Sequence, residues 1–169
     1  FIVPTGNLGN AFAAVMARAM GLPIGAVHLA TNANRTLPDF LASACYEGRD
    51  SVATMANAMD VGDPSSAERL RWLHPDIGAL RAAVSADTVD DATIAARIRE
   101  GESRYGQVWC PHTACAVEIL QRRRAAGDAA PLCVVATAHP AKFETVVEPL
   151  VGHAVPLPPA LAAMLARPA

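Results

Sequence analysis

The first thirty residues restrict this chain more than any other stretch. Phe1-Ile2-Val3-Pro4-Thr5 is an apolar run of strand type, and Gly6-Asn7-Leu8-Gly9-Asn10 turns it into an alanine-rich helical segment that begins at about Asn10. A second strand-like run, Ile24 to Ala30, follows Gly21 and Pro23. Gly21 is placed to end the helix in a left-handed conformation, and Pro23 prevents its restarting. Strand, crossover helix and strand at this length form a βαβ unit, whose strands pair in parallel. The expected class is therefore α/β with a mostly parallel sheet. The crossover helix carries Arg18 as its only charge, so it is expected to be buried on most sides.

The turn itself has chemical potential. Two glycines three apart let the backbone turn tightly, since glycine tolerates positive φ. The free N–H groups of a helix's first turn, with a dipole of roughly half a positive charge, make a seat for an anion such as phosphate. No Gly-Lys-Ser/Thr follows and the Gly-x-Gly-x-x-Gly spacing is absent, which excludes a nucleotide P-loop and a dinucleotide fingerprint. Asn7 and Asn10 stand where a lysine might, so the seat is neutral and relies on backbone N–H groups and amides. Plain α/β architecture with no ligand remains the alternative reading of the turn alone.

Further along, Thr31-Asn32-Ala33-Asn34-Arg35 lies past the carboxyl end of the second strand. Ligands of open α/β sheets sit there, although a turn with Asx-type caps explains the same residues. His28, inside that strand, reads as a core or edge histidine. A short helix is expected over Leu37 to Cys45, a structured loop over Ser51 to Asp60, and a helix from Asp63-Pro64 to about Leu73. Two more helices are expected between Asp76 and Arg104, the second capped by Asp87-Thr88-Val89-Asp90-Asp91. Together they would form a helical excursion over about 63–104, with Asp90, Asp91, Arg97, Arg99, Glu100 and Glu102 as a solvated face. Cys110-Pro111 opens another helix that runs to about Arg124, where three arginines favour the dipole. Pro131 to Thr137 is the clearest strand signal in the chain, and Ala138-His139-Pro140-Ala141-Lys142-Phe143 is the loop at its carboxyl end. A last helix is expected over Pro158 to Leu165. Domain bounds follow as 1–152 for the α/β unit and 153–169 for a proline-rich segment and helix.

Composition closes several functional classes. A net charge of −2 provides no basic footprint for nucleic acid, and no apolar run approaches the ~20 residues of a membrane span. Cys45, Cys110, Cys115 and Cys133 form no C-x-x-C pair, so no metal site is expected and buried free thiols in a reducing cytosol are. At 169 residues with 18% charged side chains, the chain suits one domain that is lean in charge, as if other protein covered part of it. It opens inside a strand without an initiator methionine, which reads as a piece of a longer protein.

Five segments, in order, carry a family likeness. Val3-Pro4-Thr5-Gly6-Asn7-Leu8-Gly9-Asn10, Ala30-Thr31-Asn32-Ala33-Asn34, Ser51-Val52-Ala53-Thr54, Cys110-Pro111-His112-Thr113-Ala114 and Ala136-Thr137-Ala138-His139-Pro140-Ala141-Lys142-Phe143 together resemble the later part of threonine synthases, pyridoxal-phosphate-dependent enzymes of fold-type II. The resemblance implies a three-layer αβα sandwich and pyridoxal 5'-phosphate as cofactor. It implies that Gly6, Asn7, Leu8, Gly9 and Asn10 hold the cofactor's phosphate and that Thr137 hydrogen-bonds its pyridine nitrogen. A neutral hydroxyl there would leave the ring nitrogen less protonated and moderate the electron sink. The implied reaction converts O-phosphohomoserine and water to threonine and phosphate in the cytoplasm. Such chemistry needs a Schiff-base lysine, and Lys142, the only lysine, stands in the wrong order for it. In the family that lysine precedes the glycine–asparagine loop, so no catalytic residue is expected here, the upstream part of the enzyme is the expected partner, and the piece alone should be inert. His112, His139 and Lys142 are expected in supporting roles. A threonine dehydratase or cysteine synthase type of lyase, and a non-catalytic homologue that senses a phosphorylated ligand, are the rival readings.

Overall fold

The computed structural model describes residues 1–167. Its sheet has three parallel strands in chain order, β1 (Ile2–Pro4), β2 (Val27–Thr31) and β3 (Val84–Thr88). β1 lies against β2 with Ile2 opposite His28, and β2 lies against β3 with Val27 opposite Val84. The helices are α1 (Gly9–Ala19), α2 (Thr36–Ser43), α3 (Ala67–Leu73), α4 (Ile77–Ala83), α5 (Asp91–Tyr105), α6 (Pro111–Ala125), α7 (Glu144–Val151) and α8 (Pro159–Leu165), with 3-10 turns at Asn57–Met59 and Pro140–Phe143.

Alternation along the strands distributes side chains to two cores, which makes the architecture three layers thick. Val3, Val27 and Leu29 point into one core with Leu8, Ala11 and Val15 of the α1 region, Leu37 and Phe40 of α2, Leu70 of α3 and Leu80 of α4. Ile2 and Ala30 point to the other, with Ile94 and Ile98 of α5, Ala114, Cys115 and Ile119 of α6, and Val147 of α7. Successive strand residues face opposite sides of a sheet, so each short strand supplies both layers. The α/β class and the parallel sheet read from the first thirty residues therefore stand.

Three readings need correction. The stretch from Asp76 to Arg104 is not helical throughout, because β3 returns the chain to the sheet between α4 and α5. Five consecutive residues of β3 pair with β2, so the segment is anchored at the sheet edge and does not swing away from it. Its sequence conceals this: Val84-Ser85-Ala86-Asp87-Thr88 has one large apolar residue and follows a helix directly. Conversely, Pro131 to Thr137 forms a single parallel bridge, Ile2 with Val134, instead of a full strand. Two hydrogen bonds hold it beside β1: Ile2 N–H to Cys133 O at 2.8 Å and Val135 N–H to Ile2 O at 2.9 Å. Its apolar residues are only half-buried, so strand-type composition exceeds the pairing available at this edge. Finally, α1 buries only Ala11 and Val15 fully, and Met20 at its end is 75% exposed.

Smaller differences follow the same logic. Gly21 does take positive φ, 98°, after α1. α7, with Pro149 inside it, was not signalled by periodicity. Cys110 and Cys115 are buried free thiols, whereas Cys45 and Cys133 are exposed. Arg97 is not on a solvated face: it pairs with Glu118 at 3.5 Å and Glu100 at 2.8 Å, both less than a third exposed, and also bonds Gln121, tying α5 to α6. The three arginines closing α6 have specific partners, including Arg122 to Thr88 O at 2.9 Å and Arg123 to Asp128 at 2.8 Å. His28 is 4% exposed and bonds Ser85 Oγ through Nδ1 at 2.6 Å. Burial, reinforced by Arg123, lowers its pKa. The segment 153–169 runs along Val155, which packs into the core of α5 and α6, and then α8; its last two residues lie outside the described ones.

Candidate functional site

Gly6, Asn7, Leu8, Gly9, Asn10 and Thr137 all line one open cavity of about 300 Å³, a volume at the small end of ligand pockets. The cavity lies off the carboxyl end of β1. One wall is the glycine–asparagine loop, and the others come from Ala58 and Met59, from His112 of α6, and from the turn that carries Thr137, Ala138, Lys142 and Phe143. Among the described residues, none that lines it is acidic.

The loop's shape follows from three residues. Gly6 passes so near the 3-10 turn at Asn57–Met59 that a Cβ on it would stand 2.7 Å from Met59 Cα. Leu8 takes φ 67° and ψ 0°, a left-handed conformation uncommon outside glycine. Its side chain is 2% exposed and lies in the core with Ala11 and Val15, which holds the strained residue in place. The left-handed turn leads directly into α1, whose first residues Gly9 and Asn10 line the cavity. Among the described residues no side chain caps α1, in contrast to α4, α5 and α6, which Asp76, Asp90 and Cys110 cap. The first-turn N–H groups of α1 have no partner within the helix, and the cavity is where an acceptor would meet them.

Asn7 is oriented by a residue that no motif marks. Its Oδ1 accepts from Ser65 N–H at 2.6 Å and from Ser65 Oγ at 3.0 Å. With the oxygen occupied, the Nδ2 of Asn7 is the atom left to donate.

Behind the Ala58–Met59 wall sits a polar network. Asp60 accepts from Asn32 Nδ2 at 2.7 Å, from Asn34 Nδ2 at 3.3 Å, and from Thr54 through both its hydroxyl (2.6 Å) and its N–H (2.9 Å). Asn32 and Asn34 are buried and do not line the cavity. The Thr31–Arg35 cluster is thus a turn held by its own amides, with Asn34 N–H donating to Asn32 Oδ1 at 3.0 Å; of its two readings, the Asx-type turn stands. Asp60 is the hub, and nothing in its sequence context signals it. An Asp60→Asn variant would set an amide NH2 against donors that now meet a carboxylate. A buried donor left without an acceptor costs about 1–3 kcal/mol, so the full-length variant should melt several degrees lower in calorimetry; an unchanged melting temperature would remove the hub role.

His112 is 3% exposed. Its Nε2 accepts from Ala58 N–H at 3.1 Å, which fixes the proton on Nδ1, and Nδ1 has no partner among the described residues. The ring packs on Phe143 with centroids 4.7 Å apart. Burial lowers its pKa; the Asp60 carboxylate opposes that and the Lys142 charge adds to it. His139 does not line the cavity; its Nδ1 accepts from Ala141 N–H at 3.2 Å and starts the turn at Pro140–Phe143.

A parallel sheet between two helical layers, with the N-terminus of α1 at a cavity off the end of β1, defines an α/β domain. Comparison with known proteins names the family. Residues 113–169 match the family described as threonine synthase, C-terminal. The threonine synthase of Serratia marcescens is 38% identical over 167 residues, covering 95% of this chain and 37% of that protein. The crystal structure of threonine synthase from Escherichia coli superposes with a TM-score of 0.84 at 32% identity, over 99% of this chain and 39% of that one. A pyridoxal-phosphate-bound threonine synthase from Brucella melitensis gives 0.82 at 31% identity, over 99% and 41%. The chain is a homologue of the carboxyl-terminal part of threonine synthases, and it spans well under half the length of these relatives.

Proposed function

We propose that the chain is the part of a threonine synthase that seats pyridoxal 5'-phosphate, in an enzyme that converts O-phosphohomoserine and water to threonine and phosphate. One observation carries the reading: the Gly6–Asn10 loop and Thr137, far apart in sequence, line the same cavity. The residues present fit the group. A helix N-terminus without a cap, an asparagine with its donor end free and a lining without carboxylates suit a phosphate dianion. When bound, the cofactor supplies the electron sink that stabilises negative charge at the substrate's reacting carbons.

The chain's own residues do the rest by holding and orienting. The first-turn N–H groups of α1 and Asn7 Nδ2 would grip the phosphate, and buried Leu8 keeps their direction fixed. Thr137, exposed at the end of its turn, would offer its hydroxyl to the ring nitrogen and leave that nitrogen without a full positive charge. The lysine that carries the cofactor belongs to the remainder of the enzyme, so the chain by itself should lack turnover. That remainder is the proposed partner, and the cytoplasm is the proposed location of the enzyme. Among the described residues no helix is long and apolar enough to cross a membrane.

The test is made on the full-length enzyme, titrated with pyridoxal phosphate by absorbance while phosphate release from O-phosphohomoserine is followed. Thr137→Val should keep the cofactor bound and lower kcat at least tenfold, because removing one donor at a site of developing charge costs roughly 1.5–3 kcal/mol. Absence of cofactor binding in the unmodified enzyme, or full turnover in the variant, would overturn the assignment.

A further inference from the structure

A second cavity, of about 290 Å³, opens between the carboxyl ends of α2 and α3 and the start of α4, and it shares no lining residue with the one off β1. Its floor is apolar, with buried Phe40 and Leu80 beside Ile77. One corner is made of rings. Phe40 and Tyr46 meet edge to face, with centroids 5.5 Å apart and planes at 85°. The Tyr46 hydroxyl donates to Asp63 Oδ1 at 2.7 Å, which pins the ring. Burial, with that carboxylate beside it, pushes the phenol up to about 12, so it stays a donor. Arg71 lies over the corner, its guanidinium carbon 5.3 Å from the Tyr46 centroid and 5.9 Å from that of Phe40. An aromatic face attracts the cation without satisfying its fork of N–H donors. Among the described residues Arg71 makes neither an ion pair nor a side-chain hydrogen bond. His74 lines the same cavity, and its Nε2 is enclosed with no partner among the described residues. No described residue of the lining is acidic. Neighbouring acceptors are engaged elsewhere: Asp63 by Tyr46, Asp76 by Ala79 N–H at 2.8 Å, and the last carbonyls of α2, Leu41 O and Ala42 O, by Arg81 at 2.7 and 2.9 Å.

We propose that this cavity is a ligand site in its own right, and that it takes a small monocarboxylate with a short hydrocarbon tail. An apolar cleft with a few convergent polar groups is the usual form of such a site. A carboxylate is planar and accepts both N–H groups of a guanidinium fork, and the His74 imidazole supplies a further donor when its proton is on Nε2. The tail would lie on Phe40, Ile77 and Leu80. Because the rings already hold the Arg71 head, less side-chain freedom is lost when the ligand arrives. A phosphate dianion suits the place less well, since one fixed cation balances half its charge and the floor offers it no donors. The site is read from its own residues and does not rest on the cofactor assignment.

The experiment titrates the full-length enzyme with pentanoate by calorimetry and saturation-transfer NMR, with pentanamide as the uncharged control and inorganic phosphate as the competing anion. Pentanoate should bind saturably and more tightly than either. Arg71 is exposed, so Arg71→Met leaves the core intact, and it should weaken pentanoate by roughly ten- to a hundredfold, the cost of losing hydrogen bonds to a charged group. Ile77→Phe keeps the arginine but fills the floor, and it should weaken pentanoate at least tenfold. Turnover of O-phosphohomoserine without pentanoate should be unchanged in both variants, and saturating O-phosphohomoserine should not displace the probe. Absence of saturable binding, or equal binding of pentanamide, would overturn the proposal. So would phosphate binding more tightly than pentanoate, or displacement by O-phosphohomoserine, which would put the probe at the substrate's place. A loss in Arg71→Met with Ile77→Phe unaffected would reduce the contact to a surface charge pair and overturn the cavity as a site.

Discussion

A Gly6→Ala full-length enzyme is expected to lose at least two orders of magnitude in affinity for pyridoxal phosphate. The new Cβ would stand 2.7 Å from Met59 Cα and 3.2 Å from Met59 C and O. These are backbone atoms, so no side-chain rotation relieves the contact, and either the loop or the Asn57–Met59 turn must move. The turn is not free to do so. Asp60, next to it, is tied to Asn32, Asn34 and Thr54, and Ala58 N–H is bonded to His112. The loop therefore yields, and Asn7 and the first turn of α1 shift with it. Overpacking of this kind costs about 1–3 kcal/mol of stability, and a misplacement of about 1 Å in a positioning element can cost roughly a hundredfold. Calorimetry and cofactor titration on the same sample separate the two effects. A variant that binds the cofactor normally would show that the loop and the Met59 turn are not mutually fixed.

That dependence explains why the sequence revealed some of the site and hid the rest. The loop was legible because its signals are local: an apolar strand, two glycines and an alanine-rich helix adjoin in ten residues. Thr137 was legible only through family likeness, since a threonine at a strand end has no chemistry of its own. Its neighbours carry strand-type composition yet make one bridge, because Val134 pairs only with Ile2 at a sheet edge. β3 escaped notice for the opposite reason: its five residues pair fully with β2 but alternate too weakly to announce it. Ser65 and Asp60 were illegible in principle. Each matters through a partner distant in the chain, Asn7 for one and Asn32 with Asn34 for the other, and no periodicity encodes such contacts.

Asn7→Asp in the full-length enzyme separates charge from shape, because the two side chains have nearly the same volume. Ser65 donates twice to Oδ1 of Asn7, and an aspartate oxygen accepts those same bonds, so the loop should keep its conformation. The second atom of the side chain is then the one that changes. In place of the amide NH2, a carboxylate oxygen would then face the cofactor's phosphate. Two like unit charges about 4 Å apart repel by roughly 1 kcal/mol in water and about 4 kcal/mol at the effective dielectric of a protein surface. Cofactor affinity should accordingly fall by at least severalfold and up to about a thousandfold at neutral pH. Added salt should recover little of it, since the pair would sit inside the cavity, where screening is weak. Lowering the pH toward the carboxylate range should recover more, because a protonated aspartate presents an O–H donor where Asn7 presents N–H. The sign is decisive: a new carboxylate whose pKa the phosphate raises is neutral below that pKa and repels above it, so the deficit must grow as pH rises. A deficit that is constant with pH, or no deficit at all, would mean that Asn7 does not face the phosphate and that the anion seat is made by backbone N–H groups alone.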